Sequence, residues 1–114
     1  MEDLLIETLG GIIPEVYRQG SMAQDATYPD EFFTYWNDSS DGDSFFDNTE
    51  TAIVWSFTVC CYGTKPSRVY DKLMQAKEAL KQKGFIVTGG GYDVMSDEAS
   101  HIGRGIDVYF REQS

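Results

Sequence analysis

Residues 51–63, TAIVWSFTVCCYG, form the longest apolar run in the chain. Taken with period two, the odd positions Ile53, Trp55, Phe57, Val59 and Cys61 make an unbroken apolar face, whereas Ala52, Val54, Ser56, Thr58, Cys60 and Tyr62 are mixed. That asymmetry predicts a central strand at 51–62, lying on a core with one face and partly covered on the other, with a helix packed over it. At about 3.3 Å per residue, such a strand reaches roughly 40 Å, more than a small domain needs. Part of it is therefore expected to project beyond its own subunit.

The helix follows directly. Val69, Leu73, Ala76 and Leu80 fall at i, i+4, i+7 and i+11, Tyr70 and Met74 widen the stripe, and Gly84 supplies a stop. The spacing predicts a helix over 67–83, with Ser67 as its N-cap behind Lys65 and Pro66. Its outer face carries Arg68, Lys72, Lys77, Lys81 and Lys83 against Asp71 and Glu78, and is the one basic surface legible in the sequence.

Upstream, Leu5, Leu9, Ile12 and Ile13 are spaced as on a helix face, and Glu2 and Asp3 suit the positive end of a helix dipole. Gly10 and Gly11 weaken the second half and Pro14 closes it, so a short helix is expected over 3–9. A brief strand over 15–19 ends at Gly20, and 21–29 reads as a loop. The aromatic run at 31–36 predicts a strand with no clean polar face, which must be covered on both sides. Then 37–50, NDSSDGDSFFDNTE, is turn chemistry and predicts an acidic loop, with Phe45 and Phe46 as anchors that tuck back or insert into a neighbour. Strands are expected at 85–88 and at 106–111, where Ile106, Val108 and Phe110 point inward and Asp107, Tyr109 and Arg111 outward. This order implies a single α+β domain over 1–114: a mostly antiparallel sheet with a long central strand and two helices packed on one face.

The 114 residues suffice for one compact domain, and a hydrophobic fraction of 41% with 14% aromatic residues argues against disorder. No run approaches the roughly eighteen apolar residues of a membrane span, and the acidic N-terminus lacks the basic start of a signal peptide, which points to the cytosol and away from a membrane. Cys60 and Cys61 are neighbours on a strand, so their side chains point to opposite faces; they read as buried small hydrophobes and not as a disulfide.

The formal net charge of −10 is unevenly spread. Up to Glu50 there are twelve acids against Arg18 alone, a net of −11, and from Thr51 onward seven acids against eight bases, a net of +1. A diffuse acidic balance argues against binding a phosphate backbone. The polarity between the halves is more telling, because complementary patches steer subunits together.

Motifs for chemistry are weak. Residues 37–48 place Gly42 at the sixth position of a calcium loop and oxygen donors at Asn37, Ser39, Asp41 and Asp43, but Asn48 stands where a bidentate Glu is wanted and the flanks read as strands. A solvated acidic loop is the better reading. Asp93, Asp97, Glu98 and His101 lie close in sequence without a second histidine or a helical frame, which favours a hydrogen-bonded surface histidine over a metal or acid–base site. Gly89, Gly90 and Gly91 follow a strand, yet no Gly-Lys-Ser/Thr comes next and no helix opens behind them, so a turn is expected and not a phosphate loop. Without a nucleophile–base pairing, metal-ligand spacing or a cofactor motif, the chain reads as a non-enzyme with neither catalytic nor cofactor-binding residues.

Several of these signals recur together. Residues 28–37, YPDEFFTYWN, with Asp47-Asn48, Trp55, Tyr62 and Pro66, Gly84-Phe85, Gly91-Tyr92-Asp93, Asp97-Glu98 and His101-Ile102-Gly103-Arg104-Gly105, resemble small neck proteins of tailed phages and prophages of Gram-positive bacteria, of the tail terminator or tail completion type. The resemblance covers roughly residues 28–111. It implies a virion structural subunit, made in the bacterial host cytoplasm, that assembles with itself as a ring, commonly a hexamer. Its partners would be tail tube and head-connector proteins, with DNA only as cargo passing through the lumen. Head-closure and minor capsid subunits of similar size stay open as alternatives.

A candidate subunit interface follows from the charge polarity: Asp38, Asp41, Asp43, Phe45, Phe46 and Asp47 of one copy approaching Arg68 and Lys72 of the next, as in head-to-tail packing. The alternative for a chain of this composition is a small acidic binding or inhibitor protein that imitates nucleic acid and acts on a basic partner.

Overall fold

The computed structural model describes residues 2–18, 29–43, 52–96 and 100–113, with the backbone alone at 39–43, 52 and 113. The elements in chain order are α1 (Glu2–Gly10), β1 (Val16–Arg18), β2 (Glu31–Asp43), β3 (Ala52–Gly63), α2 (Pro66–Gln82), β4 (Ile86–Val87), β5 (Tyr92–Val94) and β6 (Ile102–Gln113). They build one mixed six-stranded sheet in the order β1-β2-β3-β6-β4, with β5 also paired to β6. Every pairing is antiparallel except that of β1 with β2. Two helices on such a sheet make the α+β domain that the element order predicts.

The apolar strand at 52–63 is central, hydrogen-bonded along its whole length to β2 on one side and β6 on the other. Its odd residues face the helices. Phe57, Val59 and Cys61, with Phe33 and Tyr35 from β2 and Ile106 and Val108 from β6, join Val69, Leu73, Ala76 and Leu80 of α2 and Leu5 and Leu9 of α1 in one core cluster. Burying each of these large side chains contributes roughly 1.5–3 kcal/mol. Trp55 and Phe110 pack at the margin of this cluster.

Both helices therefore lie on the same face of the sheet. The 17 residues of α2 span about 25 Å. The helix begins beside Gly63, whose position faces Val69 Cγ2, and it ends where Gly84 faces the Phe110 ring, opposite Trp55. The rows from Val54 to Ala52 run past its end. Among the described residues, the sheet thus continues as a three-stranded arm beyond the helical layer.

The other face is clean only in part. Phe32 is buried there, stacked on Tyr62 with ring centroids 5.2 Å apart, and β5 folds back so that Tyr92 and Val94 lie over Gly105 and Gly103. Phe32 and Phe33 are thus covered on opposite sides, as the aromatic run requires.

Three local expectations are corrected. The segment 37–43 continues β2 to Asp43 and is not the start of a loop, because each of these backbone positions except Asp38 takes a place beside β3, which must satisfy its own N–H and C=O groups. Strand β6 starts at Ile102 and pairs with the unforeseen β5, extending well beyond 106–111. At α2, the N-cap is Lys65, in extended conformation with no side-chain cap, and Pro66 opens the helix; Ser67 lies inside the first turn.

Candidate functional site

The arm and the two ends of the long strands are where chemistry and charge depart from what the core needs. At one end, Glu31 pairs across from Gly63, and the first turn of α2 stands beside it. Arg68 grips Glu31 through both ends of its guanidinium, Nε to Oε2 at 2.6 Å and Nη2 to Oε1 at 2.8 Å. This hydrogen-bonded pairing holds the Glu31 carboxyl below its usual range, with Lys72 and Lys65 adding to the same field. At the other end, Asp43 pairs across from Ala52. Eleven residue steps separate the two ends, roughly 36 Å at strand rise.

The candidate interface residues divide accordingly. Arg68 and Lys72 sit at the α2 end, and Arg68 is already bound to Glu31 of its own chain. Asp38, Asp41 and Asp43 lie on β2 in the ladder with β3, and not on a flexible loop. Asp38 is the extra residue of a β-bulge between Asn37 and Ser39, and its Oδ2 accepts a 2.7 Å hydrogen bond from Thr58 Oγ1. Phe45, Phe46 and Asp47 lie outside the described residues. Among the described residues, the structure therefore does not bring the acidic and basic members together within a subunit; Asp38 lies midway along β2, and Asp41 and Asp43 lie at the end of the long axis away from Arg68.

The remaining sequence clusters resolve into structural roles. His101 is buried, with Nε2 2.8 Å from the Pro29 carbonyl oxygen, Nδ1 2.9 Å from Ser100 Oγ and its ring 6.0 Å from that of Phe32, so it ties the start of β6 to the start of β2. Asp93 instead binds Arg104 on the helix side of β5, at 3.0 Å. Asp97 and Glu98 lie outside the described residues, and among those described no group of acidic, histidine or cysteine side chains is placed to hold a metal.

The triple glycine presents carbonyls, not amides, to its neighbours. Lys77 Nζ binds the Gly89 oxygen at 2.7 Å, and Arg104 binds the Gly90 and Gly91 oxygens at 3.0 and 3.3 Å while lying 5.6 Å from the Tyr70 ring centroid. A loop whose carbonyls are held by cations is the reverse of a phosphate cradle. Cys60 and Cys61 are both buried free thiols, Cys61 in the helix-side core and Cys60 under Tyr92 near Gly105; burial pushes them up to about 11 and about 12. Burial, and then the hydrogen bond to Asp107, pushes the Tyr92 phenol up to about 12.

Sequence reasoning did not reach the sheet edges. Within the described part of the chain, parallel β1 covers β2 at Phe33–Tyr35, whereas β5 and β4 cover β6 at Gly103–Gly105 and Val108–Tyr109. Among the described residues, β2 from Trp36 to Asp43 and β6 from Phe110 to Gln113 have no strand on their outer sides. At the base of this arm, Asn37 Oδ1 and Trp55 Nε1 are buried without a hydrogen-bond partner. Only the register of the strands could have revealed these positions, because turn-like residues such as 37–43 carry no edge signal.

No protein-family model matches the chain, and neither does any curated protein.

Proposed function

We propose that the chain is a non-enzymatic structural subunit of a phage or prophage virion, of the tail terminator or tail completion type, that assembles with copies of itself into a ring at the head–tail neck. The resemblance carried by 28–37 and by the Gly91-Tyr92-Asp93 and His101–Gly105 motifs supplies the class of protein. The observation that carries the assembly is the arm: a three-stranded extension past the helices, with the rows of Val54 to Ala52 lying outside the core that stabilises the fold. A sheet built beyond the reach of its own helices presents surface that another subunit completes.

The long axis also has two unlike ends. The acidic arm tip and the Lys65, Arg68 and Lys72 end suit two different axial partners, the tail tube and the head connector, while copies meet side by side. A ring made from so acidic a chain lets DNA pass through its lumen without adhering, since like charges repel.

The test is light scattering across concentration on the purified chain, followed by negative-stain imaging with and without isolated tail tubes. Closed rings, free or capping tube ends, are the expected result. A chain that stays monomeric at every concentration and leaves tube ends bare refutes the reading. Retention of duplex DNA at moderate salt would refute the lumen argument separately.

A further inference from the structure

We propose that neighbouring copies join through the two edges of the arm, the outer edge of β6 in one copy adding to the outer edge of β2 in the next, so that one sheet runs from subunit to subunit. This rests on the ring reading and specifies its interface.

Strand direction sets the kind of ladder. Both β2 and β6 are antiparallel to β3, so they run in the same direction as each other. Copies related by rotation about an axis along the strands keep that direction. The β6 edge of one then meets the β2 edge of the next as a parallel pair, the polarity already found between β1 and β2. The lengths without an outer strand among the described residues match in height, since Asp41, Val54 and Arg111 form one row across the arm and Asp43, Ala52 and Gln113 another.

Charge selects this pairing over the alternatives. Asp41 stands at the β2 end of its row and Arg111, exposed, at the β6 end, so an unstaggered junction sets Arg111 of one copy against Asp41 of the next. Lys81 and Lys83, both exposed, precede β4 on the same side of the sheet as the β6 edge and strengthen its positive field, against which Glu112 works within 110–113 and Asp107 farther along the strand. A two-fold dimer that paired the β2 arm edges about Gly42 would set Asp41 of each copy against Asp43 of the other, and like charges directly opposite destabilise a ladder. The heterologous junction is therefore preferred, and repeated heterologous junctions close into a ring when the rotation allows.

A second observation points to the same edge. The buried, unpartnered Asn37 Oδ1 lies just past Tyr35, the last β2 residue paired with the described part of β1, so a backbone N–H arriving on an added strand supplies the missing donor.

The experiment is a charge swap read by sedimentation velocity at low salt, with circular dichroism melts to verify folding. Asp41→Arg and Arg111→Asp are each expected to weaken assembly on the order of tenfold or more, and the double variant to restore it to near the wild-type level. The pair Lys81→Glu with Lys83→Glu, on an exposed helix end away from the ladder, is expected to weaken assembly without touching β6. Wild-type rings that neither single reversal disturbs, or a double variant no better than the singles, would overturn the edge pairing while leaving the ring intact. A wild-type chain that never assembles overturns the ring reading and this interface with it.

Discussion

At the scale of single residues, small side chains and fixed charges decide where the open sheet face is closed. A Cβ at Gly103 would lie 2.5 Å from Tyr62 Cε1 and 2.7 Å from Val94 Cγ2, so the Tyr62 ring that stacks on Phe32 needs a glycine beneath it. Gly103→Ala is expected to cost about 1–3 kcal/mol in urea denaturation by overpacking. Gly90→Ala, with open space around the new methyl, is expected to stay within about 0.5 kcal/mol. The two thiols make a second test: with their ionisation pushed up to about 11 and about 12 by burial, Cys60 and Cys61 should react with a thiol reagent at neutral pH only at the rate of unfolding. For Glu31 the sign follows from the direction of its shift. Arg68 lowers its folded value below the ordinary 4.5, so the stabilisation is complete above that pH and is lost as pH falls through the lowered value. Glu31→Gln should therefore flatten the acid limb of stability below about pH 4.5 and leave the neutral-to-basic limb unchanged in shape, measured by melts across pH.

At the scale of elements, α2 shows what periodicity can and cannot deliver. Its buried stripe, Val69, Leu73, Ala76 and Leu80, is the predicted one, because a 3.6-residue repeat of apolar side chains has a single physical solution against a sheet. Its start differs from the expected one: Ser67 has the chemistry of a cap, but Pro66 fixes the first helical residue and leaves Lys65 at the cap position with no side-chain oxygen to offer. Lys65→Ser should consequently stabilise the fold by roughly 0.5–2 kcal/mol in chemical denaturation. In the sheet, β3 was legible from its own alternation, since a buried strand writes its burial into its residues. Strand β2 beyond Trp36 was not, because Asn37, Asp38, Ser39, Ser40, Asp41 and Gly42 have turn preferences that pairing with β3 overrides. The same holds for β5 and the start of β6, where Gly103 and Gly105 carry no strand propensity and are present so that Tyr62, Tyr92 and Val94 can lie across them. For the candidate interface, the charges were readable from composition, but the Arg68–Glu31 pairing and the separation of acidic and basic members along the axis depend on register, which no local pattern encodes.

At the scale of the molecule, shape separates what holds the fold from what extends beyond it. The radius of gyration is 15.2 Å and the principal extents are 53 × 28 × 22 Å, where a compact domain of this length would have about 13 Å. The elongation follows the strands, and among the described residues of β3 and β6 the buried core ends toward the arm at Phe57 and Val108, with Trp55 and Phe110 packed at its margin. Excising residues 41–43 and 52–54 and ending the chain at Phe110 would remove the outer rows while keeping Ser40 opposite Trp55 and the connection 44–51 unchanged in length. If the arm serves assembly and not folding, the shortened chain should melt within about 5 °C of the wild type, corresponding to a change of about 1 kcal/mol. Its sedimentation should at the same time be that of a monomer at concentrations where the wild type forms rings. A large drop in melting temperature would mean that the outer rows belong to the folding core, and rings from the shortened chain would mean that subunits meet elsewhere. Because the core side chains are untouched, the two readouts move independently, and only their combination of a preserved melt with lost assembly matches a sheet extended for a neighbour.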